Sequence, residues 1–212
     1  MYHSALWLAA YLGSSLSYLL LLLLRPEAAY GWHKAIPVSL LALWVIRIAS
    51  ARYRPVIALA CIASLSGDFV LAINVSWAFI AGLSCFLLAH CGYAVAFWQL
   101  AKQQPWPRLC VLVLIYWLLC LTFLVPNSGQ LALPVSIYAS VISVMLCLAI
   151  KTQNPHIIGG ACLFTLSDSL IAYDRFLQSF EAADLMIMTT YYTAQLLLIW
   201  PFVQQPKKHN FV

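Results

Sequence analysis

The chain has 212 residues, of which 64% are hydrophobic and 8% charged, with a formal net charge of +5, and its mean hydropathy is +0.91. Soluble domains are about half apolar and about a quarter charged, so these proportions exclude a soluble enzyme. The basic residues fall between apolar runs rather than on one face, so no nucleic acid is expected as a partner.

A hydrocarbon core takes about 20 helical residues per crossing. That ruler predicts an all-α polytopic membrane helix bundle of about eight transmembrane helices, near 5–24, 35–50, 55–73, 76–100, 108–125, 132–150, 157–173 and 185–204. The first segment lacks the basic start of a signal peptide and is too long for its apolar core, so it is read as a span. The second is short, with Lys34 and Arg47 placed to snorkel from its ends. Turn chemistry marks the breaks at Arg25-Pro26-Glu27, Arg52-Tyr53-Arg54-Pro55, Gln104-Pro105-Trp106-Pro107, Pro126-Asn127-Ser128-Gly129 and Asn154-Pro155. Trp7, Trp32, Trp77, Trp98, Trp106 and Trp200 fall near span ends, as an aromatic belt does. The seven cysteines are odd in number, lack CxxC spacing and read as packing residues. The whole chain, 1–212, reads as a single integral membrane domain whose oligomeric state is left open.

An even number of spans puts both termini on one side. Arg47, Arg52, Arg54, Lys102, Arg108, Lys151, Lys207 and Lys208 lie on that side, against Arg25, Lys34 and Arg175 on the other. This bias predicts cytoplasmic termini, and the bacterial inner (plasma) membrane is the expected location. The third and seventh spans then run in the same direction. Their stretches Ala60–Ala72 and Ala161–Ala172 align with one gap at Gly67, which suggests a 4+4 parallel repeat. The small-residue bias of membrane helices could produce the same likeness by chance.

Within those stretches stand Asp68 and Asp168, the two acidic residues in the middle of apolar spans. A carboxylate at a membrane helix centre costs at least about 2.5–3.5 kcal/mol, so each marks a functional site by default. No Lys or Arg lies at their depth in the sequence; Lys34, at the mouth of the second span, has a stem long enough to reach inward. Desolvation and mutual repulsion predict a coupled dyad, one carboxyl protonated and one ionised, ready for acid–base hydrolysis through an oxocarbenium-like state. Other polar groups at mid-depth are His90, Tyr93, Tyr138, Tyr191, Tyr192 and Gln195, with Ser64 on the Asp68 face and Thr165 close to that of Asp168. Each alone has a plainer reading as interhelical glue or a packed hydroxyl.

Zinc catalysis usually takes three protein ligands, and only His90 lies at depth; His3, His33, His156 and His209 are placed at termini or in loops. There is no HExxH and no GxSxG elbow. No metal or other cofactor is expected.

Several short patterns occur in a fixed order: Lys34-Ala-Ile-Pro37, Ser66-Gly67-Asp68, Gly82-x₃-Phe86-x₃-His90-x₂-Tyr93, Gly160-Ala161-x₂-Phe164-x₂-Ser167-Asp168 and Tyr192-x-Ala194-Gln195. With these the chain resembles the YhhN family of membrane proteins over nearly its whole length. The characterised animal members are lysoplasmalogenases, so the resemblance implies hydrolysis of the vinyl ether of a lysophospholipid within the bilayer. That chemistry fits the residues already singled out: one aspartate donates the proton and the other, ionised, stabilises the cation and activates water, with Asp168 as acid and Asp68 as base or the reverse. His90, Tyr192 and Gln195 are expected to orient the water or the dyad, Tyr93, Tyr138 and Ser167 to support them, and Lys34 to meet the phosphate. A proton-coupled transporter or a lipid-binding structural membrane protein is the alternative from another class. On this basis chelators leave vinyl ether cleavage intact; inhibition by a chelator that zinc reverses would contradict the ligand count.

Overall fold

The computed structural model describes residues 2–26, 31–73 and 75–204. Glu27, Lys207, Lys208 and His209, used above for a break, a charge bias and a ligand count, lie outside the described residues. Among the described residues there are no strands. The chain order is α1 (Tyr2–Leu24), α2 (Gly31–Ile48), α3 (Arg54–Leu71), α4 (Ala78–Leu100), α5 (Cys110–Leu119), α6 (Ala132–Lys151), α7 (Pro155–Phe176) and α8 (Ala183–Val203). Between α5 and α6 the helix widens into a π turn, Cys120–Leu124, and tightens into 3₁₀ turns at Val125–Asn127 and Gly129–Leu131. Pro126 supplies no N–H to the α ladder, and this change of winding ends the fifth span where the turn residues begin.

With its irregular end included, α5 and every other segment except α2 is long and apolar enough to cross a membrane. The 18-residue α2 carries His33, Lys34 and Arg47 as well as an internal Pro37. It begins four residues before the expected boundary, so Lys34 is helical rather than at a loose end. His33 and His156, expected in loops, stand in the first turns of α2 and α7. In α7 the cap is built from side-chain oxygen: Asn154 Oδ1 accepts the N–H groups of His156 and Ile157 at 3.0 and 3.3 Å. The seven cysteines are all free thiols.

The two most extensive helix pairings are α3 with α4 and α7 with α8. These are the pairs that a 4+4 repeat would equate. Both depend on backbones that approach closely. A methyl group at Gly67 would sit 2.7 Å from the Phe86 ring, so glycine lets that ring lie on α3 beside Asp68. A methyl at Gly160 would meet the Leu198 backbone nitrogen at 2.8 Å. Small residues at such contacts let membrane helices gain van der Waals contact that lipid cannot replace. Gly160→Ala is therefore expected to lower stability in detergent by roughly 1–3 kcal/mol, the usual cost of overpacking. Gly13→Ala, which meets nothing within 4 Å, serves as the control. Equal unfolding midpoints for the two variants would show that the α7–α8 contact yields at no cost.

Candidate active site

Both membrane aspartates receive hydrogen-bond donors from the helices around them. The Asp68 side chain is 1% exposed. Tyr191 Oη, from α8, donates to its Oδ2 at 2.8 Å. Lys34 Nζ, from α2, stands 3.5 Å from its Oδ1. The Asp168 side chain is 10% exposed. Its Oδ2 accepts the Tyr138 hydroxyl from α6 at 2.6 Å. The same oxygen lies 2.8 Å from His90 Nε2, from α4. Tyr138 Oη and His90 Nε2 are 2.9 Å apart, which closes a three-membered polar cluster.

Lys34 does not stay at the mouth of its span: it reaches inward to Asp68, as the length of its stem allows, and His90, expected at mid-depth, pairs with Asp168. A carboxylate in an apolar bundle attracts the nearest flexible cation, because leaving it unpaired costs more than bending a lysine stem. Nor does a hydrogen bond join the two carboxyls among the described residues; each has its own partners. The link between them is a cluster of rings. Tyr191, which holds Asp68, packs edge-on against Phe164 at 5.4 Å and Phe86 at 5.8 Å. Phe164 in turn meets the His90 ring at 4.7 Å.

The remaining expected residues tie helices together one layer out. Tyr93 Oη donates to Gln195 Oε1 at 2.6 Å and lies 3.8 Å from Cys61 Sγ. Tyr192 Oη donates to the Lys34 carbonyl at 2.8 Å. Its own carbonyl accepts Tyr11 Oη at 2.6 Å. Ser167 Oγ donates to the Ile187 carbonyl at 3.0 Å. Tyr138 and His90 thus reach a carboxylate, whereas Tyr93, Ser167, Tyr192 and Gln195 do not. Sequence reasoning passed over Tyr191 as a carboxylate partner, although it stands one helical turn before Gln195 and shares its face. Phe86 and Phe164, present in the sequence patterns, are the rings that stand between the acids.

A cavity of about 50 Å³ opens beside Asp168, with Leu71, Phe79, Leu83, Phe86 and Val135 on its wall. Tyr138 and Asp168 are the polar side chains that line it; Asp68 does not. A second cavity, of about 410 Å³, lies where α7 meets α8 and α2 begins, and carries Lys34, Asp174, Arg175 and Asp184. Leu71, Phe79 and Ile171 belong to both walls. An apolar space with one acid cluster therefore adjoins a polar mouth, which is the shape of a site for an amphiphile. Among the described residues no three His, Cys, Asp or Glu side chains gather as metal ligands.

The YhhN family model matches residues 29–202. Lysoplasmalogenase TMEM86B of Homo sapiens is 35% identical over 212 residues, covering 94% of this chain and 88% of that protein. The protein of the same name from Rattus norvegicus is 33% identical, covering 94% of this chain and 85% of its own length. A lysoplasmalogenase of Mycobacterium bovis is 33% identical, covering 78% of this chain and 67% of its own. No solved structure matches.

The Lys34–Asp68 pair yields a direct test of its energetics. Breaking a buried pair by removing one partner costs about 3–5 kcal/mol, whereas replacing both by apolar groups is often neutral. Lys34→Met alone is thus expected to destabilise the detergent-solubilised protein more than Lys34→Met combined with Asp68→Leu. Additive losses in that cycle would show the pair uncoupled.

Proposed function

The chain belongs to the YhhN family, and from that membership we propose that it is a lysoplasmalogenase. It hydrolyses the vinyl ether bond of a lysoplasmalogen to a fatty aldehyde and a glycerophospho-alcohol. The single observation that carries this reading is Asp168 Oδ2, held by Tyr138 at 2.6 Å and His90 at 2.8 Å on the wall of an otherwise apolar cavity.

A vinyl ether reacts first by accepting a proton on its outer alkene carbon. The π electrons form the new C–H bond, and positive charge develops at the carbon joined to oxygen. Asp168 with His90 supplies that proton, and the carboxylate left behind faces the oxocarbenium ion at close range, where water is scarce and electrostatic attraction is strong. The Phe86 ring on the same wall adds a π face for the cation. Water then adds to the cationic carbon and its proton returns to Asp168, as the reverse of the first transfer requires. The hemiacetal collapses when its hydroxyl loses a proton and the glyceryl oxygen gains one, which breaks the C–O bond. Tyr138 and His90 hold Oδ2 of Asp168, which leaves Oδ1 to give and take the protons.

Asp68 acts one layer behind the wall. Paired with Lys34 and Tyr191, it fixes the Tyr191 ring against Phe86 and Phe164. Lys34 is committed to Asp68, so it is not the phosphate ligand in this scheme. Tyr93, Ser167, Tyr192 and Gln195 hold α2, α4, α7 and α8 in register around the acids. The substrate is the single-chain lipid in the bilayer, and no cofactor enters.

The protein is a multi-pass membrane protein, and we place it in the bacterial inner membrane with both termini in the cytoplasm. The charge bias supports this: Arg47, Arg52, Arg54, Lys102, Arg108 and Lys151 lie near helix ends on the side of the termini, against Arg25, Lys34 and Arg175 at the opposite ends. The mouth cavity then faces outward.

Purified protein incubated with lysoplasmenylethanolamine is expected to release aldehyde, and the saturated alkyl ether analogue is expected to release none. Asp168→Asn should lower kcat by about 10²–10⁴, the usual contribution of a positioned acid or base. Asp68→Asn should lower both activity and the unfolding midpoint, since Lys34 loses its partner. Near-normal turnover by Asp168→Asn sinks the mechanism, and cleavage of the saturated ether sinks the reaction assignment.

A further inference from the structure

The mouth cavity holds charges of both signs that do not neutralise one another. Arg175, Asp174 and Asp184 all line its wall. The two ion pairs among the described residues are Lys34 with Asp68 and His90 with Asp168, so none joins Arg175 to either acid. The Arg175 guanidinium lies over the Phe79 ring, 4.6 Å from its centroid. Phe79 belongs to the walls of both cavities, so this stacking fixes the guanidinium where the polar mouth meets the apolar space. Asp174 is partly committed: its Oδ1 accepts the Phe180 N–H at 3.2 Å and closes the α7–α8 loop. Among the described residues the Asp184 carboxylate, in the first turn of α8, makes neither a hydrogen bond nor an ion pair.

We propose that this cavity is a subsite for a zwitterionic phosphodiester headgroup, with Arg175 binding the phosphate and Asp184 the ammonium. The assignment rests on the vinyl ether reaction proposed above and adds to it the residues that select the head of the lipid. A guanidinium offers paired N–H donors that match two phosphate oxygens, and stacking on an aromatic ring leaves that fork free to point at them. A carboxylate beyond it suits an ammonium or trimethylammonium group two carbons from the phosphate. Lys34, the cation suggested by the sequence, faces Asp68 instead. The shared wall of Leu71, Phe79 and Ile171 lets one molecule place its phosphate at Arg175 and its ether oxygen beside Asp168.

The test uses three vinyl ethers with the same chain: alkenyl-glycerophosphoethanolamine, alkenyl-glycerophosphate without the ammonium, and alkenyl-glycerol with neither charge. Arg175→Gln is expected to raise KM about 10–100-fold for the two phosphate-bearing substrates, as loss of a charged hydrogen bond does. It should leave their kcat, and both constants for alkenyl-glycerol, unchanged. Arg175→Lys should restore KM in part. Asp184→Asn should raise KM for the ethanolamine lipid alone. Uniform effects on all three substrates, or unchanged KM values, overturn the subsite. Inhibition by inorganic phosphate as strong as by the lipid assigns the site to a free anion and overturns it too. If the wild-type protein cleaves none of the three, the proposed reaction fails. The subsite is then read from the thermal shift that the saturated alkyl ether analogues produce in detergent. A shift that depends on Arg175 only for phosphate-bearing lipids upholds it, and one indifferent to Arg175 ends it.

Discussion

Two carboxylates have to be held in a medium that solvates neither, and much of the inner packing follows from that constraint. Lipid offers no water to share the charge, so the protein brings donors to it. Each donor comes from a different helix: Lys34 from α2, His90 from α4, Tyr138 from α6 and Tyr191 from α8. The polar contacts therefore do more than satisfy two acids. They fix the rotation and depth of six helices, because a helix turned by one residue would carry its donor out of reach. The rings between the clusters fill the remaining space, and Gly67 makes room for one of them.

The contacts also repeat. Asp68 on α3 takes one partner from α2 and one from α8; Asp168 on α7 takes one from α6 and one from α4. If the first four helices correspond to the last four, each acid uses a neighbour from its own half and a donor from the opposite half. The corresponding partners then differ in type: lysine against tyrosine, tyrosine against histidine. One half-site is sealed and carries an ammonium, whereas the other opens onto a cavity and carries an imidazole. Burial differs with it: the Asp68 side chain is 1% exposed and that of Asp168 10%.

Most of the fold was legible because membrane helices announce themselves by length and apolar content. The spans, the aspartates and the residues His90 and Tyr138 all followed from depth along each helix. The partnerships were not legible in the same way. Depth says that Asp68 and Asp168 lie at similar levels, but not that rings intervene, since that depends on how the helices are rotated about their axes. Tyr191 and Tyr192 differ by about 100° around α8, and the local pattern drew attention to the second. In the structure Tyr191 reaches Asp68 while Tyr192 braces α2. Lys34 showed its reach in the length of its stem, but the choice between a phosphate and a carboxylate required the third dimension.

The wall shared by the two cavities bears on what becomes of the fragments. An amphiphile severed where oil-like and aqueous compartments touch yields one piece that dissolves in the surrounding fat and another that dissolves in the medium. The shared wall of Leu71, Phe79 and Ile171 sets that cut at the border between the two compartments. The cavity beside Asp168, about 50 Å³, is too small to hold a whole hydrocarbon tail.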